Sequence, residues 1–103
     1  MRISDETVYS LFSEYDPDCW FCTPEEAAEA RARIDALGDF EKLEQRYIKI
    51  SNRIAWLRRA TEYDVNVEQE DGNIRKENCL AWHRRWGRID ARDDRLMKMA
   101  KII

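Results

Sequence analysis

The sequence predicts an all-α protein, a small helical bundle built on a long antiparallel helical hairpin. The hairpin is expected over about 40–64 and 74–101, with two shorter helices before it. Composition is the first reason: charged residues are 38% of the chain, with only 3 Gly and 2 Pro. That balance suits helices over strands and turns. The second reason is a repeated apolar beat. Phe40, Leu43, Tyr47, Ile50, Ile54 and Leu57 recur at alternating threes and fours, as do Cys79, Trp82, Trp86, Ile89, Asp93 and Leu96. The third is that the two stripes fit one antiparallel register. Leu57 falls opposite Cys79, Ile54 opposite Trp82, Ile50 opposite Trp86, Tyr47 opposite Ile89, Leu43 opposite Asp93 and Phe40 opposite Leu96.

The elements follow in order. Ser4 is a candidate N-cap, with Asp5 and Glu6 at the positive end of a first helix whose Val8, Leu11, Phe12 and Tyr15 share one face. Asp16-Pro17-Asp18 ends it, since the residue before proline avoids the helical region. Thr23-Pro24-Glu25-Glu26 opens a second helix with an N-cap threonine, proline in the first turn and glutamate three after the cap. Ala27, Ala30, Ile34 and Leu37 follow; Gly38 reads as a left-handed stop and Asp39 as the next N-cap. Asp71-Gly72-Asn73 is a turn signal between the arms of the hairpin. No segment reads convincingly as a strand. Gly87, within the second arm, reads as a point of close helix approach that costs about 1 kcal/mol in helix propensity. Two tryptophans in the seam are too bulky for a tight two-stranded coil, so a third helix is expected to fill the space.

A chain of 103 residues is expected to form a single helical domain, 1–103. At this size about 60–65% of the unfolded surface is buried, so an extra staple would help. The net charge of −3 argues against coating nucleic acid by bulk charge. The chain lacks an apolar run of about 18 residues, and its first residues lack the apolar core of a secretion signal, so a cytoplasmic protein is expected.

Placing the stripes also places the flanks. One flank carries Lys42, Arg46, Lys49, Arg53 and Trp56 on the first arm, and Arg85, Arg88, Arg92 and Arg95 on the second. The antiparallel register sets cation opposite cation, which is mildly destabilising. Either acids of the first helix, Asp5, Glu6 and Glu14, lie across this flank, or the flank docks an anionic partner with Trp56 as an anchor.

The three cysteines and the single histidine form a second candidate. Cys19-x-x-Cys22 is one half of a metal site; Cys79 and His83 sit four apart on one helix face. Together they make the Cys3His set that a structural zinc takes tetrahedrally. Two alternatives compete: buried free thiols, since Cys is among the most buried residue types, and a redox pair at Cys19 and Cys22. The redox pair has the spacing of a thiol-exchange motif but lacks the strand that precedes one.

The functional expectation is a small cytoplasmic protein-interaction module, regulatory or inhibitory, docking an acidic protein through the basic flank and stapled by zinc. Nucleic-acid binding through the same flank is the runner-up, a thiol or redox protein the third. No catalytic residues are expected and no membrane partner. A homodimer contact through the C-terminal end of the last helix is open, because Met97, Met99, Ile102 and Ile103 outrun the first arm.

Overall fold

The computed structural model describes residues 3–15 and 23–102. Its elements are α1 (Asp5–Glu14), α2 (Pro24–Leu37), α3 (Phe40–Glu62), β1 (Asp64–Glu68), β2 (Ile74–Asn78), α4 (Cys79–Arg85) and α5 (Ala91–Met99). Contacts divide the chain into two compact units, Met1–Ser51 and Asn52–Ile103, and α3 contributes to both. No helix among the described residues is long and apolar enough to cross a membrane.

The first unit is helical, as expected. Ser4 caps α1 by accepting from the Thr7 N–H, and Thr23 caps α2 by accepting from Glu26, with Pro24 at the first position. Asp39 caps α3 by accepting from Glu41 and Lys42 at 2.9 and 3.3 Å. Gly38 ends α2, but its backbone is extended (φ 157°, ψ −157°), not left-handed helical as read from sequence. Val8, Phe12, Ala30, Ile34, Leu43 and Ile50 are buried. An aromatic layer ties α1 to the start of α3: Phe12 stacks on Tyr47 at 5.2 Å, touches Phe40 at 5.4 Å, and Tyr15 meets Phe40 edge-on at 5.7 Å. Phe40 and Tyr47, assigned from sequence to a seam with the last helix, serve this layer. The Arg31 guanidinium covers the Phe40 ring at 3.6 Å, and Arg33 reaches Glu14 of α1 at 2.9 Å.

The second unit departs from an all-α plan. The segment 64–78 is a β-hairpin, with Val65 opposite Glu77 and Val67 opposite Arg75. Val65 and Val67 are half-buried while Asp64, Asn66 and Glu68 are exposed, the alternation of a strand with one covered face. The turn signal at Asp71-Gly72-Asn73 is real, but it closes strands. Gln69 O accepts from Gly72, Gly72 takes φ 85°, and Gln69 N–H donates to Asn73 O at 2.8 Å. This is a three-residue loop with glycine in the left-handed position. Cys79 N–H donates to Tyr63 O at 2.8 Å, extending the ladder to the start of α4.

The predicted last helix, 74–101, is therefore a strand and two helices. The second break is at Gly87, which has φ 71°. Gly87 N–H donates to Arg84 O and Arg88 N–H to His83 O, the paired bonds of a Schellman stop. A Cβ at Gly87 would meet nothing within 4 Å, so the glycine serves backbone conformation and not close helix approach. Asp90 then starts α5 with a reciprocal capping box: its side chain accepts from Asp93 N–H, and the Asp93 side chain accepts from Asp90 N–H. The core of this unit is Ile54, Leu57, Ala60, Leu80, Ile89, Leu96 and Met97. Met97, considered from sequence for a dimer contact, is fully enclosed, and Ile103 lies outside the described residues.

The end of α5 repeats the Schellman pattern with a residue ill suited to it. Ile102 N–H donates to Met97 O, Lys101 N–H to Lys98 O, and Lys101 takes φ 58°. A left-handed non-glycine residue costs about 1 kcal/mol. Lys101→Gly is therefore expected to stabilise the protein by about 1 kcal/mol, and Gly87→Ala to destabilise it by at least as much. Urea unfolding of both variants checks the pair; opposite signs are the expected outcome.

Candidate functional site

The basic residues read from sequence fall into two groups. Three are engaged by carboxylates of their own unit. Arg46 donates to Asp5 at 3.0 Å and to the Ile3 carbonyl at 2.8 Å, so acids of the first helix do neutralise this part of the flank. Arg53 forks onto both Asp93 oxygens at 2.8 and 2.9 Å and reaches the Arg88 carbonyl at 3.2 Å. Arg85 lies 3.0 Å from Glu77, an ion pair without hydrogen-bond alignment. Lys42 and Lys49 on α3, Arg88 in the turn and Arg95 on α5 face solvent, and Arg92 on α5 is exposed but not without a contact. Arg88 also covers the Trp82 ring at 5.3 Å. Trp56 is half-buried, with Arg53 over its face at 4.6 Å and His83 against it at 5.0 Å. Part of the stacking surface expected of Trp56 is thus already occupied.

Asp93 corrects the register directly. Sequence placed it opposite Leu43; its partner is Arg53. The carboxyl is 7% exposed. Hydrogen bonds from Arg53 hold it below the ordinary aspartate range, with further help from the Asp90 backbone, while burial pushes the other way. A carboxylate depressed in the folded state contributes stability above its unfolded value and loses it as pH falls through the folded one. Asp93→Asn is expected to cost about 1–3 kcal/mol near neutrality, since the Arg53 side of the pair is partly open to water. The difference from the parent should be flat above about pH 5 and shrink below about pH 4. Chemical denaturation across pH checks both parts.

The proposed zinc ligands are only half in view. Cys19 and Cys22 lie outside the described residues. Cys79 and His83 share α4, as expected, with Cys79 at its first position. Among the described residues, no group of three His, Cys, Asp or Glu side chains is arranged to hold a metal ion. Cys79 is a half-buried free thiol beside a depression of about 190 Å³ lined by Trp56, Arg59, Ala60 and Tyr63. His83 is wedged between two indoles, edge-on to Trp56 at 5.0 Å and to Trp82 at 4.9 Å. Its Nδ1 is enclosed with no hydrogen-bond partner among the described residues. An unpaired buried polar atom is a net cost of roughly 1–3 kcal/mol. His83→Phe keeps the ring contacts and removes that atom, so metal-free protein should melt at the same temperature or higher. A thermal melt with and without added zinc checks this, and a zinc-dependent loss in the variant would mark His83 as a ligand.

A different site emerges where the hairpin meets the end of α4. A groove of about 710 Å³ is lined by Val67, Glu68, Gln69, Glu70, Asp71, Arg75, Arg85 and Trp86. Trp86, placed by sequence in the seam opposite Ile50, is 62% exposed. It is the C-cap of α4, and Trp82 braces it edge-on at 6.3 Å. The groove's two cations converge on one acid: Glu77 takes Arg85 at 3.0 Å and Arg75 at 3.6 Å. Asp71 is occupied by Asn73, through the backbone at 3.0 Å and the side-chain amide at 2.9 Å. Glu68 and Glu70 make no ion pair among the described residues. The groove thus joins a large exposed indole to uncompensated carboxylates. Sequence reasoning missed it because the helical period put Trp86 inside. The available signal was Gly87, directly after it.

Compared with family models, with curated proteins and with solved structures, the chain finds no match in any of the three. The site is therefore read on its own chemistry.

Proposed function

We propose that this chain is a non-catalytic protein-interaction module that docks a partner protein in the groove between the hairpin and the end of α4. One observation carries the reading: Trp86 stands 62% exposed on a groove wall while a second indole holds its orientation. An indole ordered before binding supplies large apolar contact at low entropic cost, which is why tryptophan dominates interface hot spots. A groove of this size is also within the range of formed binding clefts. The expected acidic partner has less support, because Arg46, Arg53 and Arg85 already have carboxylates. That reading, and nucleic-acid binding with it, rests on Lys42, Lys49, Arg88 and Arg95.

Photo-crosslinking in cells tests the assignment. A photoreactive residue at position 86 is expected to trap a defined protein partner, and Trp86→Ala to weaken that complex by about tenfold or more, with the melting temperature nearly unchanged. Arg88→Glu with Arg95→Glu should change affinity little. The reverse pattern, with a steep loss of affinity in salt, would move the interface to the cations and favour phosphate contacts.

A further inference from the structure

We propose that the outer edge of β1 receives an extended, cationic segment of the partner protein as a third strand of the sheet. This rests on the reading of the chain as a protein-interaction module and names the partner's chemistry. The hydrogen-bond pattern shows which groups are open. The pairs Gln69–Asn73 and Tyr63–Cys79 are hydrogen-bonded, so in the observed register the bonded positions between them are Val65–Glu77 and Val67–Arg75. Asp64, Asn66 and Glu68 fall at the alternate positions, where the N–H and C=O groups point away from β2. All three are exposed.

An open edge is normally guarded by charged side chains, lysine above all, by proline, by a bulge or by a covering element. The two edges differ in this respect. On β2 the outward positions are Ile74, Lys76 and Asn78, and Asn78 is occupied as the cap of α4 and by a 2.9 Å bond to the Thr61 carbonyl. The β1 edge has neither lysine nor proline. It has Asp64 and Glu68, which make no ion pair among the described residues. Those carboxylates decide the occupant. A second copy of the same edge would bring acid against acid, which destabilises cross-strand pairing. An added strand with Lys or Arg at alternate positions would set opposite charges side by side, with main-chain bonds supplying affinity. Glu68 also lines the Trp86 groove, so a single partner segment can leave the edge and enter it.

The test is amide hydrogen exchange by NMR on the labelled chain, with two short capped peptides as probes: alternating lysine and valine, and alternating glutamate and valine. The cationic peptide is expected to slow exchange of the Asp64, Asn66 and Glu68 amides by about tenfold or more, leaving the already bonded Val65 and Val67 amides nearly unchanged. The acidic peptide should leave all five alone. Asn66→Pro removes one outward N–H and no hairpin bond, so it should abolish binding while Val65 and Val67 stay protected. Asp64→Lys with Glu68→Lys should shift preference to the acidic peptide. Binding of the cationic peptide without protection at the three amides, or unchanged binding by a folded Asn66→Pro variant, overturns the proposal. So does concentration-dependent protection of these amides without peptide, which would make the occupant a second copy. Edge protection is read separately from crosslinking at position 86, so failure here leaves the groove reading standing, and failure there leaves this one measurable.

Discussion

The second unit depends on what a single carboxylate does. Asp93 accepts both arms of the Arg53 fork, and its side chain also accepts from the Asp90 N–H that begins α5. The same guanidinium reaches the Arg88 carbonyl in the turn. One ion pair therefore joins α3, the turn after Gly87 and the first turn of α5. Two of these contacts satisfy groups that would otherwise be costly to enclose, an aspartate side chain at 7% exposure and an N-terminal amide. Arg84 with Asp94 at 2.7 Å adds a second, more exposed bond between α4 and α5. The exposed pair is worth little on its own; the enclosed one sets where α5 begins and which way its apolar face turns.

That restraint explains the exposed indole. A continuous helix through Trp86 would have carried it inward on the helical beat. The Schellman stop at Gly87 ends the helix immediately after it, and the chain turns toward Arg53. Ile89, Leu96 and Met97 fill the core, and Trp86 is left on the surface with Trp82 at its edge. The hairpin supplies the opposite wall of the groove. Arg75 of the hairpin and Arg85 of α4 both pair with Glu77, and the hairpin's exposed acids are left beside the indole and the open strand edge.

How much of this was legible depends on whether the signal was local. Ser4, Thr23 and Asp39 announce helix starts because a cap is a bond between a side chain and an amide two or three residues on. The basic flank was visible as composition, and Asp5 was among the acids expected to neutralise it; that Asp93 would take Arg53 was not legible, since the pair joins residues forty apart. Asp64-Val65-Asn66-Val67-Glu68 alternates as a strand should, yet it lay between two strong helical stripes and was absorbed into their connection. The zinc set was proposed from residue types and spacing, and two of its four members fall outside the described residues.

By itself the sequence determined the starts and helical nature of α1, α2 and α3, the turn at Gly72, and the pool of residues for the core. These depend on backbone propensity and bonds within a few residues, which are largely independent of context. Tertiary structure alone decided that the apolar beat of Cys79, Trp82 and Trp86 breaks before it reaches Ile89, and that Trp86 faces water. Periodicity reports which residues share a face while a helix continues. Whether it continues past Gly87 is a small backbone preference, and the contact that accompanies the break, Arg53 with Asp93, joins residues far apart in sequence.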